Sequence, residues 1–197
     1  MDNYNGSRLS EEKAGVLLEL ARKTVAQRLG IVYEGSPDLE KTLNDPAFEA
    51  RMGTFVTLTM DKQLRGCIGN LAPDHTVRQG VQENALNAAF NDPRFPALSP
   101  DEFEKVRIEI SLLTVPVKLE YNNPDELLDS LTPGVDGLII RKGMHSSTFL
   151  PQVWEQLPDK QSFLGHLCLK AGLPPDEWKK GELAVHAYRV QSFEEKD

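Results

Sequence analysis

The chain has 197 residues, 40% of them hydrophobic and 26% charged, which suits one domain, or one domain in two lobes, with an ordinary core. Its net charge of −8 argues against nucleic acid and against an anionic membrane surface, since phosphate binding needs clustered Lys and Arg and here the basic residues are interleaved with acids. No apolar run approaches the roughly 18 residues of a bilayer span, and the opening MDNYNGSRLSEEK lacks the apolar core of a secretory leader, so the two cysteines are read as free thiols of a cytoplasmic protein.

Ser10 reads as an N-cap, with Leu17, Leu20, Ala21, Thr24 and Val25 recurring at helical spacing and Gly30 at the stop. The turn-rich YEGSPDLEKTLNDPAF is expected to cross the surface. GTFVTLTM, residues 53–60, has the β-branched and aromatic composition of a strand, and LRGCIG returns after the polar turn Asp61-Lys62-Gln63 as the second strand of a hairpin. From Asp74 to Phe90 a helix is expected, with Val77, Val81, Ala85 and Ala88 or Ala89 as its apolar stripe. DPRFP breaks it, and Ser99-Pro100-Asp101-Glu102 supplies a capping box for a short helix.

VRIEISLL alternates, with Val106, Ile108, Ile110 and Leu112 on one face and Arg107, Glu109 and Ser111 on the other, which describes a strand with one wet face. VKLEY continues the sheet after Pro116, and PDELLDSL is a short helix. DGLIIRKG and SSTFL form a second hairpin, two helices follow over QVWEQL and SFLGHLCLKAGL, and ELAVHAYRVQSF closes as a strand. The order Gly, strand, turn, strand, Pro, helix occurs from Gly53 and again from Gly137, which suggests a duplicated unit. Strands and helices without strict βαβ alternation place the chain in the α+β class.

Cys67 carries the chemistry, and two readings of it stand open. In an extended LRGCIG, Arg65 and Cys67 share a face about 7 Å apart at the backbone, where a guanidinium favours thiolate and flanking glycines leave the sulfur uncovered. Alternatively, Gly66 and Gly69 serve tight packing or a bulge, and Cys67 is a small core hydrophobe. Cys168, with Leu164 and Ala171 on a helical face, is core filler. His166 and Cys168 point to opposite sides of that helix, so no metal site and no cofactor is implied. Asp92 and Arg94 of the DPRFP turn, and His145 with Ser146 and Ser147 in the second hairpin, are candidate ligand contacts whose bland alternatives are a salt-bridged helix stop and a solvated turn. His186 reads as a tucked-in or surface histidine.

GTFVTL, LRGCIG, DPRFP, EISLLTVP, GVDGLII, TFLPQVW and LCLKAGL, in this order, resemble the AMMECR-domain family, met also as protein A of the AmmeMemoRadiSam gene set. The resemblance implies an α+β domain over 8–192, built from two related strand-and-helix repeats that form a barrel-like sheet in two lobes flanked by helices. Residues 1–7 and 193–197 are then flexible tails. It also implies that the LRGCIG segment lines a functional cleft: Cys67 with Arg65 as catalytic candidates, and Leu64, Gly66, Ile68, Gly69, Asp92, Arg94 and His145 as ligand-binding candidates for an unknown small ligand. The family hands on no reaction. Its genomic company implies a Memo-like or a radical SAM protein as partner, so an enzyme component using Cys67 stands beside a non-catalytic binding or adaptor module.

Overall fold

A computed structural model describes residues 8–196, so the expected tail at 1–7 and the last residue lie outside the described residues. The chain divides into two compact units, one of residues 8–113 with 191–196 and one of 114–190. They are called the N-terminal and C-terminal units.

In the N-terminal unit, β1 (Gly53–Met60) pairs antiparallel with β2 (Gln63–Asn70) on one side and with β3 (Arg107–Leu113) on the other. The last residues of β7 (Ala184–Glu194) run beside β3, where Ser192 Oγ lies 2.8 Å from Ser111 Oγ and Glu195 N–H donates to the Ile108 carbonyl. That strand reaches past residue 192, and Glu195 beyond it is paired with Arg22. Asp61 and Lys62 turn the β1–β2 hairpin with φ of 52° and 62°, the two left-handed residues of a type I′ turn.

One sheet face is covered by α1 (Glu11–Leu29) and α3 (Val77–Leu86). α1 starts on the Ser10 side chain and stops at Gly30, φ 71°. Thr76 and Gln79 form a capping box for α3, which begins three residues inside the expected start. Leu17, Ala21 and Val25 meet Val77, Val81 and Ala85 over Val56, Leu58, Ile108 and Ile110, all buried. The segment expected at the surface instead carries α2 (Leu39–Thr42) and a 3-10 turn, because Leu39, Leu43 and Phe48 are buried in that same core. α3 ends in a π-turn, Asn87–Asn91, and α4 (Pro100–Phe103) opens with the Ser99–Glu102 box.

In the C-terminal unit, β7 pairs with β4 (Val117–Lys118) and with β5 (Asp136–Lys142), which pairs in turn with β6 (His145–Phe149). β4 is only two residues long, shorter than VKLEY promised. α5 (Pro124–Ser130) and α6 (Lys160–Lys170) pack on the face of Leu138, Ile140, Val185 and Ala187. QVWEQL forms a 3-10 turn rather than an α-helix; it stacks Trp154 on Phe163 with centroids 3.7 Å apart, and Trp154 Nε1–H donates to the Asp136 carbonyl at 2.7 Å. Cys168 is buried there, as core filler should be. Each unit thus contains an antiparallel hairpin followed by a helix, the repeat seen in the sequence, and the class is α+β.

Candidate functional site

LRGCIG is not a plain strand. Leu58 pairs with Gly66 but Thr59 pairs with Leu64, so Arg65 is an extra residue and β2 bulges there. From the bulge onward, Gly66, Ile68 and Asn70 stand opposite the core-facing Leu58, Val56 and Thr54. Cys67 and Gly69 stand opposite Thr57 and Phe55, on the other face. Expected to share a face with Cys67, Arg65 is turned inward instead: it is 6% exposed and bonds Glu102 through Nε and NH2 at 2.8 and 3.0 Å, with NH2 also donating to the Pro96 carbonyl. The Arg65 ion pair and the Ser99 backbone hold the Glu102 carboxyl down at about 2. Arg65 is therefore a clamp for the turn after the π-turn, and Leu64, 44% exposed, takes its place on the face of Cys67.

The glycines answer to packing. A Cβ on Gly66 would stand 2.2 Å from the Ala88 carbonyl oxygen of the π-turn. One on Gly69 would stand 2.3 Å from the Phe55 ring, which lies across it from β1. Both glycines are required by close packing in the folded unit. Ile68 packs against the unit's core.

Cys67 itself is half-buried. Its N–H donates to Asp92 Oδ2 at 2.9 Å and its carbonyl accepts from Arg94 NH2 at 3.0 Å. Both backbone groups therefore point away from β1, which makes Cys67–Thr57 a non-hydrogen-bonded pair, the kind whose side chains approach most closely. The Thr57 hydroxyl donates to Cys67 Sγ at 3.2 Å. Asp92, 4% exposed, also accepts from the backbone N–H, Nε and NH2 of Arg94. The guanidinium, more than any other partner, holds the Asp92 carboxyl far below the usual carboxylate range. The cation associated with the Cys67 peptide is Arg94, not Arg65.

Two further residues complete the face, and spacing in the sequence did not single them out. Thr57 pairs with Cys67 on one side and with Glu109 of β3 on the other, so thiol, hydroxyl and carboxyl form one cross-strand row, successive side chains about 5 Å apart at Cβ. Burial, and then the negative charge of Glu194, raise the Glu109 carboxyl above its ordinary value. Glu109 also accepts a long 3.5 Å bond from Ser111. The alternation of VRIEISLL placed Glu109 on the wet face; only the sheet register shows that Thr57 stands between it and Cys67. His145 belongs to the C-terminal unit, where Nδ1–H donates to the Ala171 carbonyl at 2.9 Å.

A family model described as AMMECR1 matches residues 18–193. A Methanosarcina mazei protein is 40% identical over 190 residues, which cover 96% of this chain and 94% of that one. A Nanoarchaeum equitans protein is 42% identical over 182 residues, covering 91% and 98%. Among solved structures, uncharacterized protein PH0010 from Pyrococcus horikoshii matches with a TM-score of 0.73 at 35% identity, over 91% of this chain and 90% of its own. No helix among the described residues is long and apolar enough to cross a membrane.

Proposed function

The chain belongs to the AMMECR1 family, and from that premise we propose that it is an enzyme, or a component of one, whose working group is the Cys67 thiol on the outward face of the N-terminal sheet. The row Cys67–Thr57–Glu109 carries this reading. A thiol needs a group to take its proton before it attacks an electrophilic carbon or sulfur. A half-buried carboxyl with a raised affinity for protons is a stronger base for that task than an ordinary carboxylate. Thr57 stands between the two and its hydroxyl donates to the sulfur at 3.2 Å, a bond that strengthens when the thiol becomes a thiolate. Glu109 at the far end of the row is the base that takes up the thiol proton by way of solvent on this face. Asp92 and Arg94 are positioning residues: they fix the Cys67 peptide and leave its side chain free to meet a small electrophilic ligand.

The test is alkylation of the native protein by iodoacetamide, with Cys67 and Cys168 read separately by mass spectrometry. Buried Cys168, whose thiol burial pushes up, is the internal slow standard. Cys67 reacts faster than Cys168 at pH 7, and Glu109→Gln and Thr57→Val each slow Cys67 several-fold while leaving Cys168 unchanged. If Cys67 labels as slowly as Cys168, or if neither substitution matters, the thiol chemistry is wrong.

Exposure of Leu64 on the same face favours a second reading, docking of a protein partner such as a Memo-like or radical SAM protein. That reading predicts that Leu64→Ser abolishes association measured with purified candidates, with the labelling of Cys67 unaffected.

A further inference from the structure

The C-terminal sheet presents a second chemical surface. Leu138, Ile140, Val185 and Ala187 face that unit's core, so by strand alternation Ile139, Arg141, His186 and Tyr188 face the other way. The register sets Lys118 of β4 directly opposite His186 on one side and Ile139 of β5 on the other. Arg141 is the diagonal neighbour of His186, and Ser146 of β6 stands opposite Arg141. A bond between the hydroxyls of Thr148 and Tyr188, 3.0 Å apart, shows that the next row lies on this same face. Opposed side chains start about 5 Å apart and diagonal ones about 7–8 Å. An ammonium, a guanidinium, an imidazole and a hydroxyl therefore converge within reach of one small oxyanion.

Two of these groups lack the partners their burial or charge calls for. Nδ1 of His186 is buried and makes no hydrogen bond, an uncommon state for a buried polar atom. The Arg141 side chain is exposed and, among the described residues, forms neither a hydrogen bond nor an ion pair. Among the described residues Lys118 is held by Glu120 alone, at 2.9 and 3.1 Å, and Glu120 is itself 79% exposed. In a chain of net charge −8, two basic groups acting on one imidazole, with an exposed carboxylate bonded to only one of them, form a local exception.

We propose that this face binds a phosphate dianion, free or as the phosphate of a small monoester, between Arg141, Lys118 and His186, with the Ser146 hydroxyl as a further donor. Arg141 alone would neutralise a monoanion such as a carboxylate; the second positive charge and the imidazole match a dianion. The groups on the His186 face are Lys118 from β4, with Glu120 bonded to it, Arg141 from β5, Ser146 and Thr148 from β6, and Tyr188 on its own strand. Without ligand, burial first and then the charges of Arg141 and Lys118 keep the imidazole below its ordinary value, so it stands neutral at pH 7. A bound dianion reverses the sign of the local field and makes the protonated imidazole a third donor.

Inorganic phosphate is titrated into the full chain at constant ionic strength, with sodium chloride as the replaced salt, and the His186 ring signal is followed by NMR. His186→Gln serves only to assign that signal. The expected result is a saturable shift with an imidazole that titrates at higher pH in phosphate than in chloride. Arg141→Gln, at an exposed position, weakens binding about tenfold or more, the loss of a hydrogen bond to a charged group. Glu120→Gln tightens it by freeing Lys118. Ethyl phosphate in place of inorganic phosphate distinguishes the sources: tighter binding marks the ligand as an ester, weaker binding as free phosphate. A linear, unsaturable shift, an unchanged affinity in Arg141→Gln, or acetate binding as tightly as phosphate overturns the assignment.

Discussion

Asp92 and Arg94 stand in for a neighbouring strand at Cys67. A carboxylate oxygen takes the peptide N–H at 2.9 Å and a guanidinium gives to the carbonyl at 3.0 Å, the two bonds an adjacent strand would make. β2 is bonded to β1 alone in the sheet, and an unpaired edge invites pairing with other chains. The pair closes that edge at one residue and fixes where the thiol points. Asp92→Ala removes the acceptor, leaves Arg94 without its carboxylate and frees the peptide. Expected outcomes are a lower Tm by thermal scan and faster amide exchange at Cys67, with Arg94→Gln showing the same effects in milder form.

Gly66 and Gly69 test whether the motif's glycines serve packing. Gly66→Ala drives a methyl into the Ala88 carbonyl, and Gly69→Ala drives one into Phe55 and the Thr54 carbonyl. Overpacking of this kind costs about 1–3 kcal/mol. Urea midpoints report the loss, and Phe55→Ala combined with Gly69→Ala recovers part of it, since the ring is then gone. An unchanged midpoint for Gly66→Ala would mean that the π-turn yields without cost.

The Arg65–Glu102 pair predicts acid sensitivity. Held at about 2 in the folded protein against about 4.3 for an ordinary glutamate, Glu102 contributes stability that is complete above pH 4.3 and lost as pH falls through 2. Urea midpoints measured from pH 7 to pH 2.5 should drop over the lower half of that range. Glu102→Gln flattens this segment of the profile and lowers the plateau by about 3 kcal/mol, because Arg65 is then buried without its counter-charge.

The β1–β2 turn offers a gain. Lys62 sits at φ 62°, and left-handed backbone costs a non-glycine residue about 1 kcal/mol. Lys62→Gly creates Asp-Gly, a preferred type I′ pair. It should raise Tm by roughly 2–4 °C for a chain of this size. A fall in Tm would mean that unfolded-state entropy outweighs the relieved strain.

Most of the fold was legible because its signals are local. Ser10 and Gly30 bounded α1, the alternation of Val106, Ile108, Ile110 and Leu112 fixed β3, and the Ser99–Glu102 box announced α4. The site was legible only in part. Period-two reading put Arg65 beside Cys67, and a single inserted residue reversed it, since a bulge moves every side chain before it to the other face. Nothing in LRGCIG itself reports the bulge; the contacts made there, Gly66 against the Ala88 carbonyl and Arg65 on Glu102, are with residues distant in sequence. The turn-rich 33–48 segment hid its burial because its fully buried residues, Leu39, Leu43 and Phe48, are scattered among many polar ones. Likewise Thr57 and Glu109 sit on separate strands, and only pairing register brings them into one row with Cys67.

The same dependence on distant pairing governs the last residues. Glu195 accepts from Arg22 Nε and NH2 and from the Ile108 N–H, while Arg22 also donates to the carbonyls of Phe103 and Val106. The Arg22–Glu195 pair thus ties α1, the end of α4 and β3 together. A charged tail residue would ordinarily be dispensable, but the Arg22 side chain is only 15% exposed, and a guanidinium that buried needs its counter-charge. Glu195→Gln should therefore cost about 1–3 kcal/mol in urea unfolding, and a chain ending at Phe193 should cost at least as much. Glu194→Gln, at the exposed neighbouring position, should leave global stability within about 0.5 kcal/mol while lowering the proton affinity of Glu109, whose carboxyl its charge helps to raise. If Glu195→Gln proves neutral, the two carbonyls hold Arg22 unaided, and the tail is an ornament of the strand rather than its anchor.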